Sequence, residues 1–274
     1  MPSVLIRIFS ALIALTVLFT IYFQFHREGL KYICFVAPLI GAYEISRILF
    51  KHHDSKFLRV FFAIGVLSIF SVGVYHFQHV ALGFALISIL FCSISIIFEK
   101  KFSDLNTLSL FQAKSILGFF YVGLLPALAV QVLNLPQGNY WFFALLTTVF
   151  MGDTFAFVFG LLWGKKKILP SISPKKTVVG SLGGLLGSVL GMLIVAQYLA
   201  GIPKWSLMIL AIAVGALAQL GDMFESMLKR VANIKDSGSI MPGHGGILDR
   251  LDGILFGAPI LLAGANFIIY FFAV

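Results

Sequence analysis

The feature that most restricts what this chain can fold into is a succession of long apolar blocks with few charged residues inside any of them. Blocks of about 17–25 residues match the thickness of a bilayer's hydrocarbon core, and a single segment satisfies its own backbone there only as a helix. Such blocks fall near 4–25, 30–50, 57–76, 79–98, 109–133, 139–163, 178–200, 205–228 and 254–273. The chain therefore reads as all-α, a polytopic integral membrane protein of about nine transmembrane helices. A soluble domain carries roughly a quarter charged residues, whereas 11% are charged here and 59% are hydrophobic. The first block, from Val4, lacks a convincing small-residue cleavage site and is followed at once by further spans, so it is read as a retained helix rather than a removed signal.

The cations give the blocks an orientation. Lys51, Lys56 and Arg59, then Lys100 and Lys101, then Lys165, Lys166, Lys167, Lys175 and Lys176, then Lys229, Arg230, Lys235 and Arg250 fill alternate loops, while the others hold only Arg27, Lys31 and Lys204. The positive-inside rule then puts the cation-rich loops and the N-terminus in the cytoplasm and the C-terminus on the opposite side. A net charge of +9 does not signal nucleic acid as a partner, because no basic run alternates with aromatic residues. The cations sit at block ends, where anionic lipid heads and phosphates are met. Cys34 and Cys92 lie inside apolar blocks without paired spacing and read as small hydrophobes, not as a disulfide or zinc ligands.

The two halves differ in kind. Residues 1–138 form an N-terminal region of about five transmembrane helices with short loops, and residues 139–274 a C-terminal region of about four helices with polar cytoplasmic loops. Asp153, Asp222, Glu225, Asp236, Asp249 and Asp252, more than half of the eleven acids, belong to the second half. Chemistry is expected there, at the cytoplasmic side. The glycine-rich stretch "GSLGGLLGSVLG", Gly180 to Gly191, places small residues at helical spacing and predicts close helix packing rather than a phosphate loop.

Three segments can carry chemistry. "GDTFAFVFGLLWGKKKILPSISPKKT" sets Asp153 inside an apolar span and follows it with a lysine-rich loop. "QLGDMFESMLKR" places Asp222, Glu225, Ser226 and Lys229 at helical spacing on one face. "KRVANIKDSGSIMPGHGGILDRLDG", Lys229 to Gly253, gathers cations, aspartates and glycines between two apolar blocks. A carboxylate inside a span costs a few kcal/mol and demands a partner or a task. The plain structural reading pairs Asp222 and Glu225 with Lys229 or Arg230 to hold the bundle. The functional reading lets Asp222, Asp249 and Asp252 converge on Mg²⁺, which takes one or two carboxylates and completes its shell with water and substrate phosphates. Lys175, Lys176, Lys229, Arg230 and Arg250 can then hold phosphate oxygens. Gly243, Gly245 and Gly246 let backbone N–H groups approach an anion. His244 alone in that loop reads as readily as a structural or merely exposed residue as it does as a functional one. From the residues, the conclusion is phosphoryl or nucleotidyl transfer on a lipid.

Ser226, Lys229, Arg230, Lys235, Asp236, Gly238, Pro242, His244, Gly245, Gly246, Asp249, Arg250 and Asp252 together resemble the long C-terminal motif of the phosphatidate cytidylyltransferases, also called CDP-diacylglycerol synthases. "GDTFAFVFG", "GKKK" and "SPKKT" resemble a second block of that family, so the likeness covers roughly residues 150–253. The first half is similar only in hydrophobic character. Val179, Lys166, Met241 and Gly253 depart from the usual pattern at its periphery.

The resemblance implies a Mg²⁺-dependent membrane enzyme facing the cytoplasm that converts CTP and phosphatidate into CDP-diacylglycerol and pyrophosphate. It also implies that Asp222 and Asp249 are metal-site carboxylates, with Asp252 a third ligand or an acid behind them. Ser226, Lys229, Arg230, His244 and Arg250 look like phosphate contacts, with Lys175, Lys176 and Asp153 on the substrate side. The catalytic set is Asp222, Asp249, Asp252 and Lys229. The lipid phosphate is already largely ionised near pH 7, with a second pKa of about 6, so no general base is assigned. A second metal ion or K⁺ in the site, and a homodimer, are left open. The expected location is a bacterial inner membrane. The rival readings are a related CTP-dependent enzyme with another lipid acceptor, a transporter and, less favoured, a scaffold.

Overall fold

The computed structural model describes residues 2–50, 55–240 and 245–272. Lys51, Met241, Pro242, Gly243 and His244 lie outside them. The described residues form α1 (Pro2–Leu49), α2 (Lys56–Tyr75), α3 (Val80–Ile97), α4 (Leu105–Gly118), α5 (Leu125–Val132), α6 (Gly138–Trp163), α7 (Val178–Ala196), α8 (Lys204–Val231) and α9 (Leu248–Phe272). A π turn over Phe119–Leu124 joins α4 to α5. Among the described residues, the only β pairing is an isolated bridge between Lys167 and Thr177, and eight helical runs are long and apolar enough to cross a membrane.

The expected first two spans both fall within α1. Its 48 residues would measure about 72 Å if straight, more than twice a hydrocarbon core. His26 breaks it, with φ 48° and ψ −128°. Beyond the break the chain doubles back: a Cβ added to Gly29 would stand 2.6 Å from the carbonyl oxygen of Ile21, eight residues earlier and about 12 Å away along a straight helix. Gly29 is what permits so tight a corner.

Helix starts follow their capping residues. Ser55 accepts from the Leu58 amide, Asp104 from the Thr107 amide at 2.7 Å, and Thr177 from the Gly180 amide at 3.1 Å. Each satisfies an N–H that the first turn leaves without an intrahelical acceptor. The N–H groups of Thr107 and Asn106, with the Ser103 and Thr107 side chains, also hold the exposed Asp104 carboxyl below its ordinary range.

The chain divides into two compact units, residues 1–130 with 231–249, and residues 131–230 with 250–274. The core of the first is a nest of phenylalanines. Phe50 meets Phe62 and Phe111, and Phe119 meets Phe62 and Phe91, at ring separations of 4.5 to 5.3 Å. Such pairs contribute roughly 0.5–1.5 kcal/mol beyond burial. Two glycines make room reciprocally. A Cβ at Gly65 would stand 2.7 Å from the Phe119 ring, and one at Gly118 2.6 Å from the Phe62 ring.

In the second unit, α6 and α7 run antiparallel at close range, with Gly191 against Thr147 and Gly180 against Ala156. A Cβ at Gly183 would meet the Phe159 ring at 2.5 Å, and one at Gly187 would run into the carbonyl of Met151. The Thr147 hydroxyl takes advantage of this approach, donating to Gly191 O at 2.9 Å. The expected packing role of the glycine stretch is borne out, as small residues let two backbones meet where lipid supplies no hydrophobic drive. Gly221 of α8 meets the backbone of Asp252 and the ring of Phe256 in the same way, and Gly264 of α9 meets Leu210.

Candidate functional site

The second unit assembles its charges at one end of α8. Upstream, the lysine-rich loop is closed by Ile168 N–H donating to Lys176 O at 3.2 Å and Val178 N–H to Lys166 O at 3.0 Å. This fixes Lys176 immediately before the Thr177 cap of α7. From there its Nζ reaches α8, donating to Gln219 O at 3.0 Å and pairing with Asp222 Oδ2 at 2.5 Å. A second tie runs back, from Gln219 Nε2 to Ser181 O at 3.1 Å.

One turn beyond Asp222, the fully buried Glu225 pairs with Lys229 at 3.4 Å. Asp252, from the start of α9, is buried within hydrogen-bond reach of Glu225 and electrostatic reach of Asp222. Asp153 of α6 feels Asp222, Lys176 and Arg250. The structural pairing expected for Glu225 is thus present, while Asp222 takes Lys176 rather than Lys229 or Arg230. Asp222 keeps 38% of its side chain exposed, so an incoming cation or a phosphate bound by Lys176 can reach the pair. Ser226 is half-buried, while Lys175, Arg230 and Arg250 are exposed. Arg230 Nε lies 3.5 Å from Ile172 O, at the edge of the lysine-rich loop.

Asp249 belongs to the first unit, where its Oδ2 accepts from the Gly246 amide at 2.8 Å and from the amide and hydroxyl of Ser237, both at 2.9 Å. Beside it lies Glu44 of α1, 1% exposed. Its two oxygens accept from Ile247 N–H and Leu248 N–H, each at 3.0 Å, and from the Ser237 hydroxyl at 2.9 Å. The single Ser237 hydroxyl proton serves one of the two carboxylates at a time. Two glycines are required by this approach: a Cβ at Gly246 would stand 2.5 Å from both Glu44 oxygens, and one at Gly238 would collide with Oε1. Gly245, at φ 84°, turns the chain into the helix.

The anion held by this glycine-rich backbone is the protein's own. Because Glu44 satisfies the first free amides of α9, the helix begins at Leu248, six residues before the expected span. Asp249, Arg250 and Asp252 therefore lie in its first turns, not in a preceding loop. Glu44 was missed in the sequence. The available signal was a lone carboxylate inside the apolar block 30–50, which demands a partner.

Among the described residues, no group of three or more His, Cys, Asp or Glu side chains is placed to hold a metal ion. Of the three expected ligands, the second unit brings Asp222 and Asp252 together. Two carboxylates with room for water and substrate oxygens fit the way Mg²⁺ is bound when phosphates complete its shell. His244 lies outside the described residues.

A sequence model of the cytidylyltransferase family matches residues 5–268. A protein of Staphylococcus saprophyticus named phosphatidate cytidylyltransferase is 47% identical over 124 residues, 45% of this chain and 47% of its own. A Synechocystis protein of the same name is 36% identical over 195 residues, 61% of this chain and 64% of its own. A third so named, from Brucella abortus, is 39% identical over 153 residues, 55% of this chain and 56% of its own. The chain spans about half the length of the staphylococcal and Brucella relatives it matches.

Proposed function

The chain belongs to the cytidylyltransferase family, and from that premise we propose that it is a membrane-embedded nucleotidyltransferase that makes CDP-diacylglycerol and pyrophosphate from CTP and phosphatidate. The observation that carries the proposal is the half-exposed Lys176–Asp222 pair beside Glu225, Lys229 and Asp252. A phosphate oxygen of phosphatidate attacks the α-phosphorus of CTP in line, a new P–O bond forms, and the bond from that phosphorus to the bridging oxygen of the β-phosphate breaks. Its electron pair leaves with pyrophosphate. Lys176, from the loop before α7, and Lys229, on α8, offset the phosphate charge, with Ser226, Lys175, Arg230 and Arg250 at the margin. Asp222 and Asp252 would hold Mg²⁺, which supplies charge stabilisation at the reacting phosphates. The positive-inside distribution supports a cytoplasmic position for this end, and the proposed location is a bacterial inner membrane.

The test is an assay of the purified protein in mixed micelles with labelled CTP and phosphatidate, with Mg²⁺ and then with chelator. Chelator-sensitive label in the lipid phase with equal release of pyrophosphate is expected. Transfer only to another lipid acceptor would move the substrate assignment, and failure to bind CTP at all would overturn the enzyme reading.

A further inference from the structure

The first unit contains a cavity of about 350 Å³ whose wall includes Arg47, Arg59, Asp236, Ser237, Gly238 and Ser239. We propose that this cavity is a phosphate-binding site in which Arg47 and Arg59 grip the phosphoryl oxygens of a substrate, either the polyphosphate of a nucleotide or the phosphate monoester of a lipid. The inference deepens the proposed function, on which its substrates rest, by assigning a binding task to two arginines of the N-terminal helices.

Four features point the same way. The cavity falls in the size range of small-molecule sites. Among the described residues, two guanidinium groups and one carboxylate line the wall, and a guanidinium presents its donors in a fork that matches phosphate oxygens. Both arginines are held in place. Arg59 Nη2 donates to Phe50 O at 2.8 Å, and the Arg47 guanidinium lies 5.8 Å from the centre of the Tyr43 ring, one turn back on α1. The part of the wall around Ser237 is built rather than loose. Ser237 is buried and tied through its hydroxyl to Glu44 and through its amide to Asp249, so the backbone of Gly238 and Ser239 is presented from a fixed edge. The wall's carboxylate, Asp236, favours a phosphate that arrives with a bound cation, or a nucleotide whose ribose hydroxyls can donate to it.

The experiment compares the full-length protein with its Arg47→Gln variant, chosen because Arg59 also supports the end of α1. In mixed micelles, the KM for CTP at saturating phosphatidate and the KM for phosphatidate at saturating CTP are measured. Alongside these, the thermal midpoint is followed with inorganic pyrophosphate or with short-chain phosphatidate, each in the presence of Mg²⁺. Loss of one charged hydrogen-bonding partner should raise one KM by about tenfold with kcat little changed. A raised KM for CTP with lost protection by pyrophosphate assigns the site to the nucleotide. A raised KM for phosphatidate with lost protection by the short-chain lipid assigns it to the lipid. If both KM values and both protections match the parent protein, the proposal is overturned. Should the parent protein show no cytidylyl transfer, the proposed reaction fails, but the two protection measurements still decide whether Arg47 binds phosphate.

Discussion

In the first unit, the carboxylates of Glu44 and Asp249 are held by backbone amides and one serine, while in the second those of Asp222 and Glu225 face lysines. Under the proposed function, the difference separates construction from chemistry. An amide of the main chain cannot leave its carboxylate without unwinding the segment, so Glu44 defines where α9 begins. A lysine on a flexible stem can let go and take a phosphate oxygen instead. Acids of one residue class thus do opposite work, according to whether the donor is fixed or free to exchange.

The comparison is most exposed at Glu44. Replacing it by alanine strands two amides and shares Ser237 with Asp249 alone, so Glu44→Ala should destabilise by at least about 3 kcal/mol. Thermal unfolding in detergent reads this, with Glu44→Gln intermediate because one oxygen remains. A Glu44→Ala midpoint equal to that of the parent protein would break the contrast. Asp222→Asn should do the reverse, lowering kcat at least about a hundredfold. As its pair is partly exposed, stability should change by less than about 1 kcal/mol. Destabilisation comparable to that of Glu44→Ala would place Asp222 with the structural acids. Gly246→Ala sharpens the point from the backbone side, since the added methyl displaces Ser237 and Glu44. A loss of about 1–3 kcal/mol is expected, and a neutral result would show that the tie can yield.

The smallest effect belongs to Asp104, an exposed cap with no part in either cluster. Its folded pKa lies below the ordinary 3.8, so its contribution is complete above that pH and is lost as the pH falls through the folded value. Asp104→Ala should therefore lower the midpoint slightly at neutral pH, and the difference from the parent protein should shrink as the pH falls below about 4. A difference that grows on acidification would contradict the assignment.

The sequence made the helices legible because lipid allows so few alternatives. It also made the α6–α7 contact legible, since glycines at helical spacing have little other use inside an apolar span. Asp222, Glu225 and Lys229 declared themselves by sharing one helix face. Lys176 as the partner of Asp222 did not, because that pairing depends on how the loop folds before α7. Glu44 was hidden for a related reason. Its partner Ser237 lies 193 residues away, and no periodicity connects them. The glycines of the polar loop read as a cradle for a ligand's charge; among the described residues the amides of Gly246, Ile247 and Leu248 hold Asp249 and Glu44 instead. Arg59 reads in the sequence as one of the loop cations and Arg47 carries no signal there; the cavity distinguishes both.

The distance along the chain between Glu44 and its amide partners also sets a timetable. Leu248 is 204 residues downstream, and at roughly 5–20 residues per second a ribosome needs on the order of 10–40 s to cover that interval. Throughout that time the helix bearing Glu44 has been synthesised while the amides that complete it have not. The start of α9 is thus closed by a group made long before it. A chain stopped short of residue 247 would carry the acid without its amide partners.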